Sequence, residues 1–87
     1  MQYAALVSDI GGVGTYAVVR YDRGVIWRWQ PATREWIEAA WNVDEIYGSE
    51  KRFSRDITEE EAQALIKSGT GLVQLSEQTL RDLSARR

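Results

Sequence analysis

The apolar positions of this chain change rhythm near residue 42. Before that point they come in short runs rich in Val, Ile, Tyr and Trp, broken by Gly, Pro and Asp; after it they are mostly Ala, Leu and Ile set among Glu and Gln at helical spacing. Aromatic and β-branched residues suit strands, whereas Ala, Leu, Glu and Gln suit helices. Strands followed by helices, without βαβ alternation, predict an α+β fold: a small antiparallel sheet of three to four strands packed by one or two C-terminal helices.

The pattern places strands at Gln2 to Ser8, Thr15 to Tyr21, Val25 to Gln30 and Glu35 to Trp41. A glycine-rich turn over Asp9 to Gly14, the tight turn Asp22-Arg23-Gly24 and a loop begun by Pro31 separate them. If Asp22-Arg23-Gly24 is a three-residue loop, Tyr21 faces Val25, Val19 faces Trp27 and Ala17 faces Trp29. Ile37, Ala39 and Trp41 then share that side. This uncharged face is the expected core, and Tyr16, Val18, Arg20, Ile26, Arg28, Gln30, Trp36 and Glu38 fall on the other.

The helices announce themselves through their caps. Thr58-Glu59-Glu60-Glu61 is a capping box, followed by the apolar stripe Ala62, Leu65, Ile66 and a stop at Gly69. A shorter turn runs from Asn42 or Val43 to Tyr47, ending at Gly48. Phe53 is expected to anchor the charged connector Lys51 to Asp56. Ser76 caps a second helix, stapled by Leu75 and Leu80, with Leu83 extending its stripe and Arg86 and Arg87 at its negative end. At about a dozen residues this helix is marginal alone, so it docks on the domain, docks on a partner, or frays. The layout is one domain over 1–87, with sheet 2–41, connector 42–57 and helices at 58–68 and 76–86.

Composition sharpens this by exclusion. The 87 residues include no Cys and no His. Disulfides, thiolate nucleophiles, His-based triads and the usual zinc sites are therefore absent. No pair of carboxylates stands at catalytic spacing, so no enzyme activity, metal or cofactor is expected. No apolar run is long enough to span a bilayer, and MQYAALVSD lacks the basic start of a signal peptide. The expectation is a cytoplasmic protein without membrane association. Nine of eleven basic residues are Arg, which suits either carboxylate or phosphate recognition or simply a GC-rich coding sequence.

The stretch Gly12-Val13-Gly14-Thr15-Tyr16-Ala17-Val18 resembles the glycine-rich loop of protein kinases, which lies between antiparallel strands. In that family the next strand supplies a lysine, but Val25 to Gln30 offers only Arg28, and no catalytic-loop or metal-binding Asp motif follows. The stretch is read as a hairpin turn.

Binding chemistry concentrates elsewhere. All nine aromatics lie between Tyr3 and Phe53, and the four Trp fall between Trp27 and Trp41. Three of these fit the expected core face, but Trp36 falls on the mixed face. Together with Tyr16, Arg20 and Arg28 it makes a candidate partner surface, since Trp, Tyr and Arg dominate interface hot spots. The competing reading is that a helix or the C-terminal segment covers Trp36. The expected function is a small non-enzymatic protein-interaction module of adaptor, inhibitor or regulator type, whose partner the residues do not name. A sheet apolar on both faces also fits a homodimer. The alternative is single-stranded nucleic-acid binding through an Arg/aromatic face. Asp22, Glu35 and Glu38 interrupt that face, and the seven acidic against three basic residues from Asp44 to Glu61 oppose phosphate.

Overall fold

Five strands pair where three to four were expected, and the extra one comes from the supposed connector. The computed structural model describes residues 1–7, 14–48, 53–69, 72–73 and 76–85. The elements are β1 (Gln2–Val7), β2 (Thr15–Asp22), β3 (Val25–Gln30), β4 (Glu35–Glu38), a 3₁₀ turn (Ala40–Asn42), α1 (Val43–Tyr47), β5 (Ser54–Ile57), α2 (Glu59–Ser68) and α3 (Glu77–Ala85). The sheet order is β4-β3-β2-β1-β5, antiparallel throughout. Ser-Arg-Asp-Ile carries little strand propensity. β1 recruits it, because a central strand needs its second row of backbone groups satisfied and Ile57 finds cover opposite Tyr3.

The β2–β3 register differs by one residue from the expected one. Asp22 pairs with Val25, Tyr21 with Ile26, Arg20 with Trp27 and Val19 with Arg28. The loop is therefore only Arg23-Gly24, and both have positive φ (51° and 83°), as a two-residue hairpin turn with the twist of its strands requires. One residue fewer turns β3 over. Ile26 and Arg28 join Val19 and Tyr21, and Trp27 and Trp29 move to the opposite face. β4 also ends early: Ala39 still donates its N–H to the Ile26 carbonyl at 2.8 Å, but Trp41 lies in the 3₁₀ turn.

The expected single core face is two faces, each with its own core. On one, Ala4, Leu6, Ala17, Val19, Tyr21 and Ile26 pack with Ile46 of α1. On the other, Ala5, Val18, Ile57 and Ala62 of α2 are buried, with Tyr3, Trp29, Trp36, Leu65, Ile66 and Leu72 around them. Ala4, Ala5 and Leu6 are successive residues and all have no exposed surface, so β1 is covered on both sides.

The capped helices form as read. Thr58 Oγ1 accepts from Glu61 N–H at 3.1 Å, and Glu61 Oε1 accepts from Thr58 N–H at 3.2 Å. Gly69 closes α2 in the left-handed conformation (φ 66°), donating to the Leu65 carbonyl at 2.9 Å. Ser76 Oγ accepts from Thr79 N–H at 3.2 Å, and α3 docks against the 3₁₀ turn. Phe53 is half-buried. Residues 8–13, Lys51, Arg52, Leu75, the Leu83 side chain, Arg86 and Arg87 lie outside the described residues, and with them most of the glycine turn and the staple.

Candidate functional site

Arg20 stands on β2, opposite Trp27 of β3, on the face that α2 partly covers. Two residues further along β3, Trp29 pairs with Trp36 of β4. The pleat therefore sets Arg20, Trp27, Trp29 and Trp36 on one side of three neighbouring strands. The Arg20 guanidinium carbon lies 4.5 Å from the Trp36 ring centre and 5.4 Å from that of Trp27. Trp36 meets Trp29 edge-on at 5.3 Å and Tyr3 at 6.4 Å. A guanidinium on indole faces is worth roughly 0.5–2 kcal/mol depending on desolvation.

All four side chains are half-buried, so Trp36 is neither free of the helix layer nor sealed beneath it. The Arg20 Nε is buried and has no hydrogen-bond partner among the described residues. A cation held by ring faces, with its Nε donor unused, leaves the ridge both positive and apolar.

Tyr16 and Arg28 do not join that ridge; the structure divides the four candidate residues between the two faces. The β1–β2 register shifts between Leu6, which pairs with Ala17, and Val7, which pairs with Thr15, so the bulge falls at Tyr16. Its ring packs against the first core, and Arg28 lies above it at 5.8 Å. Arg28, turned inward by the register, is only 5% exposed. Its Nη2 donates to the Val73 carbonyl at 3.3 Å, and Val73 N–H donates to the Tyr16 carbonyl at 2.9 Å. Tyr16 and Arg28 thus hold Val73 between them through its two backbone groups.

Beside the ridge, a cleft of about 700 Å³ opens between α2 and the β3–β4 turn. Trp29, Pro31, Arg34, Gln63, Ile66 and Lys67 are among its lining residues, and Gly69 closes it at the end of α2. The β3–β4 turn is tied by Arg34 N–H donating to the Gln30 carbonyl at 2.9 Å. Arg34 there takes a positive φ of 57°, a conformation costing a non-Gly residue roughly 1–2 kcal/mol. Sequence reasoning missed this cleft. The available signal was the narrowness of the α2 stripe, Ala62, Leu65 and Ile66, which is too small to cover three Trp.

At the opposite end of the sheet, a shallower depression lies among Met1, Tyr21, Asp56 and Glu59. The Tyr21 hydroxyl donates to Asp56 Oδ1 at 3.3 Å, and the ring meets Tyr47 edge-on at 5.5 Å. Burial raises the Tyr21 pKa, and the Asp56 charge, the hydrogen bond to it and Tyr47 add to the rise. Among the described residues no cluster of three or more metal-ligating side chains occurs, and no helix is long and apolar enough to cross a membrane. No protein-family model, curated protein or solved structure matches this chain.

Proposed function

We propose that this chain is a small non-enzymatic protein-interaction module, and that its partner seats on the Trp27–Trp29–Trp36 ridge around Arg20. One observation carries the reading: three half-buried indoles lie together with a guanidinium whose buried Nε has no hydrogen-bond partner among the described residues. Rigid aromatics and Arg at the edge of a packed layer are what protein interfaces use as anchors, because they bring large contact area with few rotors to freeze. No observation favours the nucleic-acid alternative. Of the residues that were to form its basic-aromatic face, Arg28 is buried and Tyr16 packs on the other side.

The test is capture of partners from native cells with the whole chain, identification by mass spectrometry, and titration of the purified partner against Arg20→Met and Trp27→Leu. Both variants should keep the native circular dichroism and weaken binding by roughly 30-fold or more, the range of a hot-spot loss. Unchanged affinity in both variants refutes the ridge. Solution molar mass identifies the case in which the partner is a second copy of this chain.

A further inference from the structure

We propose that the cleft between α2 and the β3–β4 turn binds an acidic peptide segment bearing apolar side chains; this rests on the reading that the chain binds protein. Its size falls within the range of ordinary ligand sites. Trp29 and Ile66 give it an apolar floor and Pro31 a rigid wall, which selects for an apolar side chain. Arg34 and Lys67 are its charged lining, and among the described residues no carboxylate lines it, although the chain as a whole has 13 acidic residues against 11 basic. The positive charge in the cleft is therefore local and runs against the sign of the molecule, so it selects for carboxylates.

Two further features bear on how the occupant's carboxylates are held. The cleft ends at Gly69, at the C-terminal and therefore negative end of the α2 dipole, where the Leu65 carbonyl already accepts from the Gly69 N–H and the Ser68 hydroxyl. That end of the helix disfavours a bare anion, so carboxylates are directed to the Arg34 and Lys67 side chains. Arg34 is also strained, with a φ of 57° at a turn position where glycine would rest without strain. Strain of this kind gathers at binding sites, where the side chain is needed in place. The turn gains nothing from arginine at this position, whereas the cleft gains a guanidinium.

Arg34→Gly separates these roles, because it relieves the turn while emptying the cleft of its fork. The experiment is selection of a random displayed peptide library on the folded chain, followed by titration of the enriched peptides against wild type and Arg34→Gly/Lys67→Gln. The expected peptides carry Asp or Glu beside Leu, Phe or Trp, and their affinity falls with added salt. They should shift the amide signals of residues 63–69 and 29–34 and bind the double variant at least about tenfold more weakly. Arg34→Gly alone should unfold at the same or a higher denaturant concentration. No enrichment, enrichment without an acidic excess, or equal affinity for the double variant overturns the proposal. Peptides that instead shift Arg20 and Trp27 overturn the cleft and leave the ridge reading standing; partners lost with Arg20→Met but not with the double variant do the same.

Discussion

Ile26→Ala and Val25→Ala, measured side by side, test the β2–β3 register from which the ridge and the cleft both follow. In the observed pairing Ile26 is 2% exposed among Ala4, Ala17, Val19 and Tyr21, while its neighbour Val25 is 37% exposed. Ile26→Ala removes three buried carbons, a transfer loss of about 2.4 kcal/mol at roughly 0.8 kcal/mol each. The vacated space, of the order of 60 Å³ if nothing relaxes, adds about 1.5 kcal/mol. The expected loss is therefore about 4 kcal/mol at most, and about 3 if Tyr21 settles inward. Val25→Ala should cost less than about 1 kcal/mol, as surface substitutions do. A domain of this size is stable by roughly 4–13 kcal/mol, so Ile26→Ala can remove most of its margin. Equilibrium urea unfolding followed by tryptophan fluorescence reads both variants, with an unchanged m-value as the condition for comparing them. A loss below about 1 kcal/mol at Ile26, or a larger loss at Val25 than at Ile26, would refute the pairing and with it the placement of Trp27 and Trp29 beside Arg20.

Three further outcomes are expected. Thr58→Ala should cost about 1 kcal/mol, because it removes the hydroxyl that accepts from Glu61 N–H at the start of α2; denaturant unfolding reads it, and a loss under about 0.3 would contradict the cap. Arg23→Asn should raise stability by roughly 0.5–1 kcal/mol, since Asn tolerates the positive φ that Arg23 is held in; a lowered midpoint would show that Arg23 makes a contact beyond the turn. The raised Tyr21 pKa makes the folded chain hold this proton more tightly than the unfolded chain, whose value is near 10.0. The resulting stabilisation is complete below pH 10 and is lost as pH climbs through the folded value. The stability difference between wild type and Tyr21→Phe should thus be flat from pH 8 to 10 and move against wild type above it. Movement in wild type's favour would show the sign to be wrong.

What could be read in the sequence was whatever is decided locally. The α2 cap is complete within four residues and its stop within one, so Thr58, Glu61 and Gly69 were legible. The register was not, because alternation identifies a face only when the other face is wet. Here Ala4-Ala5-Leu6 and Ala17-Val18-Val19 are apolar at consecutive positions, and those runs are the signal that both faces are covered. Choosing one dry face then favoured the longer loop at Asp22-Arg23-Gly24, although Gly24 serves either loop equally well. Arg28 was read as surface because an arginine is seldom buried; the Val73 carbonyl and the Tyr16 ring that hold it inside are far away in sequence. The candidate surface kept Arg20 and Trp36 because both lie on strands flanking β3 and did not turn over with it. β5 was invisible because only Ile57 among its four residues favours a strand.

The pairing of β5 with β1 also sets the order in which the sheet can be completed. β2, β3 and β4 are joined by short turns and can associate early, and β1 can join β2 soon afterwards. The far edge of β1 must wait for residues 54–57, some fifty positions along the chain. Until they arrive, Ala4, Ala5 and Leu6 form an open apolar strand edge, able to pair with the same edge of another chain. Aggregation during folding should therefore depend on how quickly β5 closes, and changes at Ser54 or Ile57 should lower the yield of native protein by more than they lower its final stability.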